Sequence, residues 1–383
     1  MARQGEGLSI SRAVELWGQY EARRQDPLIC MPLAVKQVSR TSTVPTAGGT
    51  VSHLLDQWIE SCLAYDEQRA EWILNQAFAL YAPETVAIEL LQRGVHEIGE
   101  GWYAGDVSVQ QEHFCSSLVV RRLEALILAI PPATRAGRIL VACPPEEHHT
   151  ISLLLLAYLL RRGGWGVIYL GANVPIAQLE NTIVATRPRL VIMSAQTLRT
   201  AATLRDVSLF LHQQETPLAY GGYVFNELPT LRGRITGHFL GESIETVPST
   251  IESLLTAPPP LLATEDVSDA YRETLDHFEE RLGLIETHVI QTLSQDKLSP
   301  DHLALANREL GQNIRSALAL GDMNYLDPNV GWLTGLLANH DVSAGALHGY
   351  LQAYEQAASQ YLDDRGRPVT DWLTSRLNIL SHN

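Results

Sequence analysis

Between residues 137 and 255 short apolar runs alternate with helical stretches, and this alternation constrains the fold more than any other feature of the chain. The runs are RILVAC (138–143), VIYL (167–170), LVIMS (190–194), LAY (218–220) and HFL (238–240). Helical patterns fill 150–162, 175–186, 199–213 and 244–255. Successive strands with a helix between them cannot pair as hairpins. They pair in parallel, and their uniformly apolar character says that helices cover both faces. The sequence therefore predicts a doubly wound, Rossmann-like α/β domain over 137–257. Ligands in such sheets sit beyond the carboxyl ends of the strands, so the loops after Cys143, Leu170, Ser194 and Tyr220 are the places to look for function.

The flanks have a different character. Residues 51–130 show apolar spacings of three and four throughout, with helices predicted at 51–63, 66–78, 83–100 and 107–128 and turns at Pro83 and Gly105. That is a helical-bundle cap. Residues 1–45 carry one amphipathic helix (8–24) leading into a linker, TSTVPTAGGT (41–50). After the Pro258–Pro260 run, residues 262–383 give no strand signal and read as a second all-α domain. Ser299-Pro300, Asp327-Pro328 and Ser343 are good helix starts.

Charge and cysteine content narrow the partners. The net charge is −15, and residues 261–383 hold 18 acidic against 8 basic side chains, a field that repels nucleic acid. The four cysteines (Cys30, Cys62, Cys115, Cys143) are scattered, with neither disulfide-framework nor zinc spacing. The longest apolar run, 151–160, is too short to cross a bilayer, and the N-terminus lacks a signal-peptide core. The expectation is a cytoplasmic protein with reduced thiols.

The first strand empties into Pro144-Pro145-Glu146-Glu147-His148-His149-Thr150-Ile151-Ser152. A carboxylate two residues before a histidine can hold the outer imidazole nitrogen and aim the other at a metal. After Ser152 come 41 residues, then Ser194-Ala195-Gln196, then 24 more and Gly221-Gly222. These blocks resemble the cobalamin-binding domain, whose pattern is Asp-x-His-x-x-Gly, Ser-x-Leu and Gly-Gly. Here Glu147 stands for Asp, Ser152 for Gly and Gln196 for Leu. The resemblance implies that His149 replaces the cofactor's own base as lower cobalt ligand, with His148 the other candidate. It also implies that Ser194 hydrogen-bonds the nucleotide tail, and that Gly221 and Gly222 let the backbone approach it.

Upstream, Trp102 is followed by nine residues and then Glu112-His113. Directly before a cobalamin domain, this pattern resembles the CarH-type light-sensing cobalamin proteins. By that resemblance Trp102 packs against an upper 5′-deoxyadenosyl group, Glu112 binds its sugar, and His113 takes the cobalt once light removes the group. The N-terminal helix resembles the last helix of a MerR-type domain, without the helix-turn-helix before it, so no operator binding is expected. The all-α C-terminal domain resembles that of the photocobilins, in which a globin-like domain holds a bilin. Tyr325, Asp327, Trp332 and His340 are its candidate biliverdin contacts, with His277 and His288 nearby. The expected function is a non-enzymatic light sensor. It would bind adenosylcobalamin, with biliverdin as second chromophore, and form a homo-oligomer whose state changes with light. A corrinoid methyl carrier is the alternative.

Overall fold

The computed structural model describes residues 50–257, 259–260, 264–293, 300–328 and 344–380. The N-terminal helix and linker, Trp332 and His340 lie outside them. The cap is four helices: α1 (Val51–Leu63), α2 (Glu67–Leu80), α3 (83–103) and α4 (Val109–Leu128). Within α3, a π-helical turn, Ala87–Gln92, separates α-helical Pro83–Val86 from Arg93–Tyr103. Leu54, Leu55, Trp58, Ile73, Leu90 and Leu118 fill the bundle's core. Gly94 lets α3 meet α1, since a Cβ there would lie 2.5 Å from the Trp58 ring.

The sheet has five parallel strands in the order β2-β1-β3-β4-β5: β1 (Arg138–Ala142), β2 (Gly166–Gly171), β3 (Leu190–Ser194), β4 (Leu218–Gly221) and β5 (His238–Phe239). The chain switches direction between β1 and β3, and a crevice opens there at the carboxyl ends. The crossovers are α5 (Ile151–Arg162), α6 (Leu179–Thr186), α7 (Leu198–Gln213) and a short α8 (Tyr223–Glu227), and α9 (Val247–Thr256) follows the last strand. The predicted sheet is thus observed. Helix α6 starts four residues later than its predicted start at 175.

The sequence LLLLAYLL in α5 is explained by where that helix sits. Leu154, Leu155, Tyr158 and Leu159 enter the core of the cap. Leu153, Leu156, Ala157 and Leu160 enter the core under the sheet. A helix buried on both sides has no polar face to show. This sandwich holds the cap over the carboxyl end of the sheet.

Helices α10 (Asp269–Leu293), α11 (Pro300–Leu320), α12 (Ala344–Tyr361) and α13 (Arg367–Leu380) form the C-terminal part. Their core is continuous with that of the sheet: Leu204, Val207 and Leu211 of α7 belong to the same apolar cluster as Phe278, Ile314 and Leu318. No helix among the described residues is long and apolar enough to cross a membrane.

Candidate functional site

A cavity of about 930 Å³ lies between the cap and the carboxyl end of the sheet. Glu112, His113, Ser116 and Val120 of α4 and Gln92 and His96 of α3 line it from above. His148, His149, Ser194, Gln196, Gly221 and Gly222 line it from the strand ends. Ser152, Leu153 and Leu156 of α5, Ile192 of β3, and Leu240 and Val247 complete its wall. The three sequence blocks, more than seventy positions apart from first to last, therefore meet at one cavity.

Glu147 is the most constrained side chain of the site, 1% exposed. Its Oε1 accepts hydrogen bonds from His149 Nδ1 at 2.7 Å and from the His149 backbone N–H at 2.8 Å. Its Oε2 accepts from the backbone N–H of Gln196 and the hydroxyl of Thr200, both at 2.7 Å. Burial alone would raise the carboxyl's pKa. The hydrogen bonds from His149 and the Thr200 hydroxyl outweigh burial and hold it below the usual carboxylate value. An ionised Glu147 fixes the proton of His149 on Nδ1, which leaves the lone pair on Nε2. That Nε2 is buried and has no hydrogen-bond partner among the described residues. A buried imidazole nitrogen, oriented by a carboxylate and left unpaired, is what an axial metal ligand requires. Among the described residues no group of three or more His, Cys, Asp or Glu could hold a metal ion. A single protein nitrogen suits a metal whose other positions a macrocycle fills.

The loop carrying His149 is held from several sides. Glu146 takes a left-handed conformation, φ 66°, and its N–H donates to Asn173 Oδ1 at 2.8 Å. Thr203 donates to the Pro145 carbonyl at 2.7 Å, and Arg199 pairs with Glu146 at 3.4 Å. Burial pushes the Cys143 thiol well above its ordinary range, so it is inert packing beneath this loop.

The glycines have separate roles. Gly222 has φ +118°, and a Cβ there would lie 2.0 Å from the Ala195 carbonyl oxygen. A Cβ on Gly221 would meet nothing within 4 Å, so that backbone borders open cavity. Opposite them, Ser108 caps α4 in a reciprocal box with Gln111, whose amide also donates to the Leu63 carbonyl at 2.8 Å. This fixes the first turn of α4, where Glu112 is 7% exposed. Glu112 Oε2 bonds His113 Nδ1 at 2.7 Å, and its Oε1 accepts from Ser116.

Residues 54–127 and 137–249 each match a family model described as a B12 binding domain. The HTH-type transcriptional repressor CarH of Myxococcus xanthus is 33% identical over 195 residues, 49% of this chain and 65% of that protein. The HTH-type transcriptional repressor CarA of the same organism is 41% identical over 88 residues, 23% of this chain and 31% of that protein. The chain thus spans less than two thirds of the length of either curated relative. Among solved structures, the monomethylamine corrinoid protein of Methanosarcina barkeri aligns at TM-score 0.46 and 16% identity, over 53% of this chain and 99% of that one. A cobalamin-binding protein from Desulfitobacterium hafniense DCB-2 aligns at TM-score 0.30 and 19% identity, over 52% of this chain and 97% of that one.

Of the sequence candidates, Glu112, His113, His149, Ser194, Gly221 and Gly222 line this one cavity, and Glu147 stands behind His149. Trp102 does not join them: it packs partly buried against the core of the cap and is not among the cavity's lining residues. Thr200 was not legible. It stands at N3 of α7, in a capping box with Thr197, and looks like a cap residue until its hydroxyl is seen on Glu147.

The C-terminal candidates divide. Tyr325 is a core side chain, 4% exposed, with Arg234 Nε donating to its hydroxyl at 3.4 Å. Asp327 accepts from Trp372 Nε1 at 3.0 Å and pairs with Arg376 at 3.3 Å. His277 is buried beside Asp363, whose N–H donates to its Nε2 at 3.2 Å, and His288 Nδ1 lies 3.4 Å from the Tyr361 hydroxyl. These four residues are joined to packing partners and line no part of the cavity above.

Proposed function

We propose that this chain is a light-responsive cobalamin sensor that takes adenosylcobalamin in the cavity between cap and sheet. The observation that carries the proposal is the buried, unpartnered Nε2 of His149, held toward the cavity by Glu147. When bound, adenosylcobalamin supplies a cobalt–carbon bond that visible light breaks. The chain's own residues prepare for that event. Glu147, fixed by Thr200 and the Gln196 N–H, keeps His149 in the tautomer whose Nε2 would be free to bind the cobalt. Across the cavity, Glu112 and Ser116 offer polar groups for the sugar of the upper group. His113, held by Glu112 through Nδ1, is the residue assigned to the upper position after light.

The likeness of residues 102–113 to the CarH-type light sensors, and the match to the M. xanthus repressor CarH, support the adenosyl form and light as the stimulus. The same reading assigns the C-terminal helices to biliverdin, by their position after the cobalamin module, and a light-dependent homo-oligomer as output. It assigns no enzymatic activity.

The test is the absorption spectrum of protein reconstituted with adenosylcobalamin and biliverdin, before and after green light. Alkylcobalamin bands in the dark that convert on illumination to a protein-ligated photoproduct are expected. A dark spectrum without cobalamin bands would remove the whole reading. A bound corrinoid whose spectrum and particle size ignore light would favour the methyl carrier.

A further inference from the structure

We propose that Gln196 is a positioning residue: it fixes the Ser194 hydroxyl as a hydrogen-bond donor into the cavity, so that the nucleotide tail of the ligand must meet it with an acceptor atom. This rests on the reading of the cavity as a cobalamin site. The position is one where the family pattern is apolar, and here a polar side chain is held at both ends. Its Oε1 accepts from the Tyr223 N–H at 3.0 Å, and its Nε2 donates to Ser194 Oγ at 2.8 Å.

The orientation of this amide is unambiguous. The Tyr223 backbone group can only donate, so the amide oxygen must face it and the NH₂ must face Ser194. Ser194 Oγ is thereby an acceptor toward Gln196, and its single hydrogen must go elsewhere. No described residue accepts that hydrogen, and Ser194 is 6% exposed on the cavity wall. A buried donor without a partner is costly, and a ligand acceptor removes the cost. With leucine at 196 the hydroxyl could turn either way and would accept or donate. Glutamine removes that freedom. The residue's backbone N–H separately serves Glu147, so replacing its side chain leaves the grip on His149 in place.

Binding titrations of apoprotein with three probes test this. Cobalamin has the full tail, cobinamide phosphate keeps a phosphate but no base, and cobinamide has neither. Ser194→Ala is expected to weaken cobalamin about 3- to 10-fold, and Gln196→Met measurably but by less, because the freed hydroxyl can still donate. The double variant is expected to be no weaker than Ser194→Ala alone, because the Gln196 side chain acts on the ligand only through Ser194. Cobinamide should show no comparable loss. If cobinamide phosphate behaves like cobalamin, the acceptor is a phosphate oxygen; if like cobinamide, it lies on the nucleoside. Gln196→Glu supplies a second test, since a carboxylate would capture the Ser194 hydrogen and should weaken cobalamin at least as much as Met. Additive losses at 196 and 194, or equal losses for cobinamide and cobalamin, would overturn the proposal while leaving the cavity reading intact. Wild-type protein that binds none of the three probes would overturn both.

Discussion

At the scale of single residues, the account rests on Glu147 and on two glycines with different duties. Glu147→Gln keeps the shape but loses an acceptor and the charge that holds the His149 tautomer. It is expected to lower cobalamin affinity about 10- to 100-fold, read by titration of the apoprotein. Gly222→Ala forces a Cβ toward the Ala195 carbonyl at a φ of +118°. Urea unfolding should show a loss of at least about 1–3 kcal/mol. Gly221→Ala has open space, so apoprotein stability should stay within about 0.5 kcal/mol while cobalamin affinity falls. Equal stability losses at both positions would contradict this division. His149 and Glu147 were legible because a carboxylate and imidazole two positions apart are a local signal. Thr200 and the Gln196 N–H were not, because their bonds to Glu147 close over roughly fifty residues of chain and exist only once β1 and β3 lie side by side.

At the scale of elements, strand–helix alternation was readable because each crossover must bury one face. The boundaries of the cap were nearly so: 51–63 matches α1, and α3 runs three residues past the predicted end at 100. The π-helical turn Ala87–Gln92 had no signal in residue spacing, since a single wide turn shifts the apolar stripe by only one position. The place of Trp102 could not be read from the motif either: spacing gives the order of residues along α3 and α4, while the packing of the indole against the core of the cap depends on how the helices meet. In the proposed light response α4 is the element that would shift. Its first turn, bearing Glu112 and His113, is tied to α1 through Gln111 and Leu63. His113→Ala is expected to bind adenosylcobalamin with little loss in the dark and to photolyse. It should then give a water-ligated cobalt spectrum and a smaller light-induced change in size by light scattering. A photoproduct spectrum and size change identical to wild type would exclude His113 as the upper ligand.

At the scale of the whole molecule, the sequence marked a boundary at Pro258–Pro260, yet the C-terminal helices share a core with α7, the helix whose first turn holds Glu147. Composition marks linkers but not docking, because the apolar side chains that α11 and α7 share in one core, Leu204, Val207, Ile314 and Leu318 among them, are ordinary helix-core residues. If these helices seat a bilin, the link is non-covalent, since no cysteine follows Cys143. Acid denaturation of loaded protein followed by desalting should release all the pigment, and pigment that stays with the chain would contradict this. The central claim is that His149 supplies the axial nitrogen to cobalt. It is tested most directly by electron spin resonance of the reduced cobalt(II) form in protein made with ¹⁵N-histidine. The account expects the triplet splitting from an axial ¹⁴N to become the doublet of ¹⁵N, and to lose that origin in His149→Ala. A triplet that survives labelling would mean that the cofactor's own base stays on the metal, and that the buried nitrogen of His149 is not its ligand.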